Sequence, residues 1–118
     1  MKAFRATCLL AATLFSSAAM AHAVVKQSSP AHGARLSSAP AHVTIQFNEN
    51  IEPMFTTATL QSAIGATIPT QKAVIDPASP ATLRLPLPAL GPGLYAVKWS
   101  TVGVDGHRRT GKIAFTLN

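Results

Sequence analysis

Only one cysteine, Cys8, occurs in the 118 residues, and it lies within the first apolar stretch. No internal disulfide can staple this chain, and a closed zinc site built on thiolates is excluded. Long apolar runs are also missing. The longest, Ala6 to Phe15, is about half of the roughly 20 residues that a membrane-spanning helix needs. Aromatic residues make up 6% of the sequence and acidic residues number four. The basic residues are scattered: Lys26, Arg35, Lys72, Arg84, Lys98 and Lys112 stand apart, and only Arg108 and Arg109 adjoin. Without aromatic residues interleaved among them they offer no platform for stacked bases, so nucleic-acid binding is not expected. Ser100, Thr101 and Thr110 lack the second histidine and the acid of a nucleophilic triad.

The N-terminus does carry an address. Lys2 and Arg5 precede the Ala6–Phe15 run, and a small-residue segment from Ser16 to Ala21 follows, the pattern of a secretory signal peptide. Ala19-Met20-Ala21 places small residues at the two positions that signal cleavage requires, which leaves His22 first. Ala21-His22-Ala23 fits the same pattern and would leave Val24 first. The expectation is a signal over 1–21 and one exported domain over 22–118, with no membrane insertion of the mature chain. Loss of Lys2 and Arg5 lowers the net charge from +6 to +4. A domain of this length without disulfides must rest on its hydrophobic core.

From Val24 onward, short alternating runs are broken by proline, glycine and serine. Val43, Ile45 and Phe47 alternate with polar neighbours, as do Leu83, Leu85 and Leu87, then Tyr95, Val97 and Trp99, and finally Ile113, Phe115 and Leu117. A period of two gives a strand one dry face and one wet face. Nowhere is a helical period sustained over three turns. The spacing predicts an all-β fold of six to seven strands, a small Greek-key β-barrel or an immunoglobulin-like sandwich, with these alternating residues as its core.

Chemistry concentrates at the two ends of the domain. Asp105-Gly106-His107 follows the strongest predicted strand and reads first as a turn, since glycine accepts positive φ and aspartate bonds its own backbone. In extended backbone, residues two apart also project to one side, so the Asp105 carboxylate and the His107 imidazole can converge on one ion. An N-terminal His22 adds its amine and imidazole as a two-nitrogen chelate. Three nitrogens and one oxygen suit one tetragonal Cu(II) ion, which heads the divalent affinity order.

His22-Ala23-Val24, the Ser28–Ala34 segment, Phe47-Asn48-Glu49 with Glu52-Pro53, and Val104 to His107 with Gly111 together resemble the CopC-type periplasmic copper-resistance proteins. The likeness covers nearly all of 22–118. It implies a Greek-key β-barrel that holds Cu(II) through His22, Asp105 and His107, a periplasmic location in a Gram-negative bacterium, and exchange of copper with an inner-membrane transporter of the CopD type. Some members also carry a methionine-rich loop for Cu(I). Here the mature chain has only Met54, read as a filler of the core or an edge. Glu49 is a candidate second-sphere acceptor for a ligating imidazole. His32 and His42 stand near proline turns as weaker ligand candidates.

Two other readings use the same residues. A copper-dependent polysaccharide monooxygenase also grips its metal with an N-terminal histidine, but it needs a broad aromatic docking face. Here the aromatics Phe47, Phe55, Tyr95, Trp99 and Phe115 mostly fall on core-facing positions. Cleavage after Ala23 would instead leave a metal-free interaction module.

Overall fold

A computed structural model describes residues 23–118. Among these residues nine strands form: β1 (Val25–Ser29), β2 (Ala34–Leu36), β3 (His42–Phe47), β4 (Thr57–Ser62), β5 (Thr67–Ile68), β6 (Val74–Ile75), β7 (Thr82–Pro86), β8 (Gly93–Val102) and β9 (Arg108–Leu117). Three of these, β2, β5 and β6, are only two or three residues long and lie below what alternation can reveal. The six longer strands match the expected count of six to seven.

The strands divide into a four-stranded sheet ordered β1-β3-β7-β6 and a five-stranded sheet ordered β2-β9-β8-β4-β5. Every pairing is antiparallel except β2 with β9. Among the described residues no strand pairs from one sheet to the other, so of the two expected all-β forms the fold takes the sandwich, with its sheets open.

Alternation explains the core. Val43, Ile45 and Phe47 of β3, Leu83 and Leu85 of β7, Val97 and Trp99 of β8, and Ile113, Phe115 and Leu117 of β9 are all buried, while Leu87 and Tyr95 pack half-buried at its margin. Phe47 meets Trp99 edge to face at 5.0 Å and 76° across the sandwich. Such a pair contributes about 0.5–1.5 kcal/mol beyond its burial. Opposite Trp99 on β9 stands Gly111, where any Cβ would overlap the indole.

Two residues leave the expected pattern. Met54 is 91% exposed and Phe55 54% exposed, so Met54 is neither a core nor an edge filler and Phe55 does not face the core. Both sit in a single 3₁₀ turn, Pro53–Phe55, where proline's fixed φ starts the turn and the strand period no longer applies. That turn is tied down by Thr56, whose hydroxyl donates to the Glu52 carbonyl at 2.7 Å and lies 2.7 Å from the hydroxyl of the fully buried Thr101. The segment from Asn48 to Thr56 thus crosses from the first sheet to the second along one end of the sandwich.

Candidate metal centre

At that end β8 turns into β9 through residues 103–107. Gly106 takes φ +80, a conformation that glycine adopts without the Cβ penalty of other residues, and its N–H donates to the Gly103 carbonyl at 3.0 Å. Asp105 closes the turn on itself: Oδ1 accepts the His107 backbone N–H at 3.0 Å, and Oδ2 lies 3.2 Å from His107 Nδ1. The carboxylate and the imidazole therefore converge as expected, but through a turn and not through extended backbone. The His107 side chain is 59% exposed and that of Asp105 21%. One carboxylate contact fixes the ring through Nδ1, the arrangement by which a partner orients a ligating imidazole.

The crossing segment meets this loop at Gly103. Ile51 bridges Gly103 in the antiparallel sense, and Glu52 N–H donates to the Val102 carbonyl at 2.9 Å. A Cβ on Gly103 would overlap Glu49 Oε1 and would stand 3.3 Å from Asp105 Oδ1, so the absence of a side chain there lets the two carboxylates share one place. Glu49 Oε1 is buried and has no hydrogen-bond partner among the described residues. A buried carboxylate oxygen left without a donor or cation is costly. A metal ion or a ligand N–H beside it supplies the missing compensation, so the donor set fits a cation.

The N-terminal segment reaches the same end. Ala23 is 2% exposed and belongs to the core cluster. Val24 N–H donates to Asn48 Oδ1 at 2.8 Å, and Asn48 N–H donates to the Val24 carbonyl at 2.9 Å. Asn48 immediately precedes Glu49, so the start of the described chain is fastened one residue from the carboxylate at Gly103. His22, the third expected ligand, lies outside the described residues. Among the described residues no group of three or more His, Cys, Asp or Glu gathers to hold a metal, leaving Asp105 and His107 as the pair in place.

The two weaker candidates fall elsewhere. His32 Nδ1 accepts the Ala114 backbone N–H at 3.0 Å, six residues into β9 and so roughly 20 Å along that strand from the loop. His42 begins β3, whose other end, at Phe47, leads to Asn48. The strand's length holds it roughly 17–20 Å away. Sequence reasoning named Asn48 only within the Phe47-Asn48-Glu49 motif, with no role, and did not name Gly103. An asparagine after the last core residue of a strand reads as turn chemistry, and nothing local reveals that a glycine makes room for a carboxylate from another segment.

No helix among the described residues is long and apolar enough to cross a membrane. The CopC domain family matches residues 25–118. Copper resistance protein C of Pseudomonas syringae pv. tomato is 31% identical over 94% of this chain and 92% of its own. The copper transport protein CutJ of Bacillus subtilis is 34% identical over 82% of this chain, a stretch that makes up 18% of CutJ. Among solved structures, CopC from Methylosinus trichosporium OB3b superposes with a TM-score of 0.77 at 27% identity, covering 82% of this chain and 94% of that one.

Proposed function

The chain belongs to the CopC family, and from that premise we propose that it is a periplasmic carrier or buffer of Cu(II) and not an enzyme. In this reading residues 1–21 are removed on export. One Cu(II) ion is held by the amine and imidazole of His22, the Asp105 carboxylate and the His107 imidazole. The observation that carries the reading is the meeting of the Asp105–His107 turn and the Glu49 carboxylate at Gly103, with the N-terminal segment fastened to Asn48, the residue before Glu49.

Each group has a separate task. Amine and imidazoles provide the nitrogen donors that Cu(II) prefers, and each must shed a proton before it ligates. Asp105 contributes charge and oxygen while orienting His107. Glu49 adds a second negative charge at short range without being needed as a ligand. Cleavage after Ala21, rather than after Ala23, is supported by the fold, because a cut after Ala23 would discard a core residue and convert the bonded Val24 N–H into a charged amine.

A carrier must also release its ion. The pair that holds copper lies on a turn and not inside the sandwich, within reach of a competing donor set. The family resemblance implies that the recipient or source is an inner-membrane transporter of the CopD type. In Bacillus subtilis a matching stretch forms part of a longer copper transport protein, which is consistent with such a pairing. Against the monooxygenase reading, Phe47 and Phe115 are fully buried and Trp99 nearly so, and among the described aromatic rings Phe55 alone is exposed. The test is the intact mass of the exported protein together with Cu(II) titration. A start at His22 with one equivalent bound supports the proposal, and a start at Val24 removes the chelate on which it rests.

A further inference from the structure

The outer face of the five-stranded sheet has no part in the copper site, and its charge is one-sided. Strand alternation and register place Arg35, Lys98, Arg108 and Lys112 on it, half of the eight lysines and arginines in the described chain. None of the four carboxylates lies on these strands: Glu49, Glu52 and Asp105 are at the metal end, and Asp76 follows β6 in the other sheet. Lys98 and Lys112 are direct cross-strand partners, both exposed. Like charges placed directly opposite destabilise a sheet. Arg108 is held over the same face, donating from Nη1 to Ser100 Oγ at 2.6 Å and to the Phe55 carbonyl at 3.4 Å. Beside Lys98 and Lys112 lies a shallow depression of about 550 Å³ lined by hydroxyls, among them Thr57, Thr59, Ser100 and Thr110.

We propose that this face docks reversibly on an anionic phospholipid surface, with phosphate oxygens between Lys98 and Lys112 offsetting their repulsion. Charge complementarity selects an anionic occupant, and cations spread over three strands, with no central cluster of aromatic anchors, select a lipid surface over a protein. A protein interface concentrates its energy in a central cluster of buried anchors, whereas here Tyr95, Trp99 and Phe115 belong to the opposite, inner face and the exposed Phe55 stands only at the end of this one, beside Arg108. A planar array of headgroups needs only spread charge and hydrogen-bond donors, which this face supplies. Each cation brought to such a surface strengthens binding by about fivefold at moderate salt, so four give weak, salt-sensitive attachment. The inference does not depend on the copper site.

The mature protein is sedimented with vesicles of phosphatidylglycerol mixed into phosphatidylcholine, at low and at physiological ionic strength. Expected is binding that grows with phosphatidylglycerol content, weakens with salt, and falls roughly tenfold or more for Lys98→Glu or Lys112→Glu. Arg84→Glu and Lys26→Glu, on the four-stranded sheet, change net charge equally and should bind nearly as wild type. Lys98→Glu should also raise the melting temperature, because it turns the opposed lysines into an ion pair, which separates lost docking from lost folding. The proposal is overturned by equal losses in all four variants, by no binding to phosphatidylglycerol at low salt, or by equal binding to pure phosphatidylcholine. Tighter capture on polyglutamate than on vesicles would assign the face to an acidic protein. Displacement by inorganic phosphate far beyond that by sodium chloride at the same ionic strength would make it a small-anion site instead.

Discussion

Val24 and Asn48 exchange two hydrogen bonds, Val24 N–H to Asn48 Oδ1 at 2.8 Å and Asn48 N–H to the Val24 carbonyl at 2.9 Å. The first is a side-chain bond and the second a backbone one, so a substitution at 48 can remove half of the clamp and leave the other half.

Asn48→Ala should therefore weaken Cu(II) binding by loosening the segment that carries His22, at a stability cost of about 1 kcal/mol. Asn48→Asp keeps an acceptor at the same place and should restore much of the affinity. Cu(II) titration beside urea melts separates the two effects. If Asn48→Ala lost stability with unchanged affinity, the clamp would serve the fold alone.

His107→Ala and Asp105→Ala should each reduce Cu(II) affinity while leaving the β-sheet circular dichroism unchanged, because the turn contributes little to the core. His107→Ala should be the more severe, since imidazole is the better donor for Cu(II). Asp105→Asn keeps an acceptor for the His107 N–H but removes the charge, and should fall between wild type and Asp105→Ala. Wild-type affinity in both alanine variants would reduce the motif to a turn.

The core was legible in the sequence because alternation is a strong signal wherever a strand has one dry face: the members of β3, β7, β8 and β9 fall on their expected faces. Short edge strands escape that signal, as β5 and β6 have two residues each. Asp105 and His107 were legible because they are neighbours in the chain. The place of Glu49 was not, because it depends on contact between segments more than fifty residues apart, at a glycine whose role is only to be small. Met54 was misjudged for a related reason, since it sits in a proline-started 3₁₀ turn that interrupts the strand period.

Gly111→Ala should destabilise the sandwich by about 1–3 kcal/mol, as the added methyl meets the rigid, buried Trp99 indole. Copper affinity of the folded fraction should not change. Thermal unfolding with and without Cu(II) reads both quantities, and a variant as stable as wild type would mean that the indole can move aside.

Saturating Cu(II) should raise the melting temperature of the mature protein, since a ligand that binds the folded state alone contributes about 2.7 kcal/mol at one hundred times its Kd. An N-terminal His22 keeps its own chelate in the unfolded chain, so the observed shift should be smaller and should measure the share of Asp105 and His107. His107→Ala should abolish most of it. A shift of equal size in that variant would place the copper elsewhere.

Cu(I) should bind poorly, because a soft ion prefers several thioethers and the mature chain offers one, on the exposed Met54. Competition under reducing conditions checks this, and tight Cu(I) binding lost in Met54→Ala would contradict it.

In the proposed site the His22 amine completes a donor set whose other half is the Asp105–His107 turn. The most direct measurement compares Cu(II) affinity of the protein beginning at His22 with that of a semisynthetic form acetylated only at its α-amine. Every side chain is then preserved and one nitrogen donor is removed. Acetylation should cost at least about tenfold in affinity, or 1.4 kcal/mol, and make the dependence on pH shallower because one fewer proton competes with the metal. Equal affinity of the two forms across the pH range would contradict the proposed site.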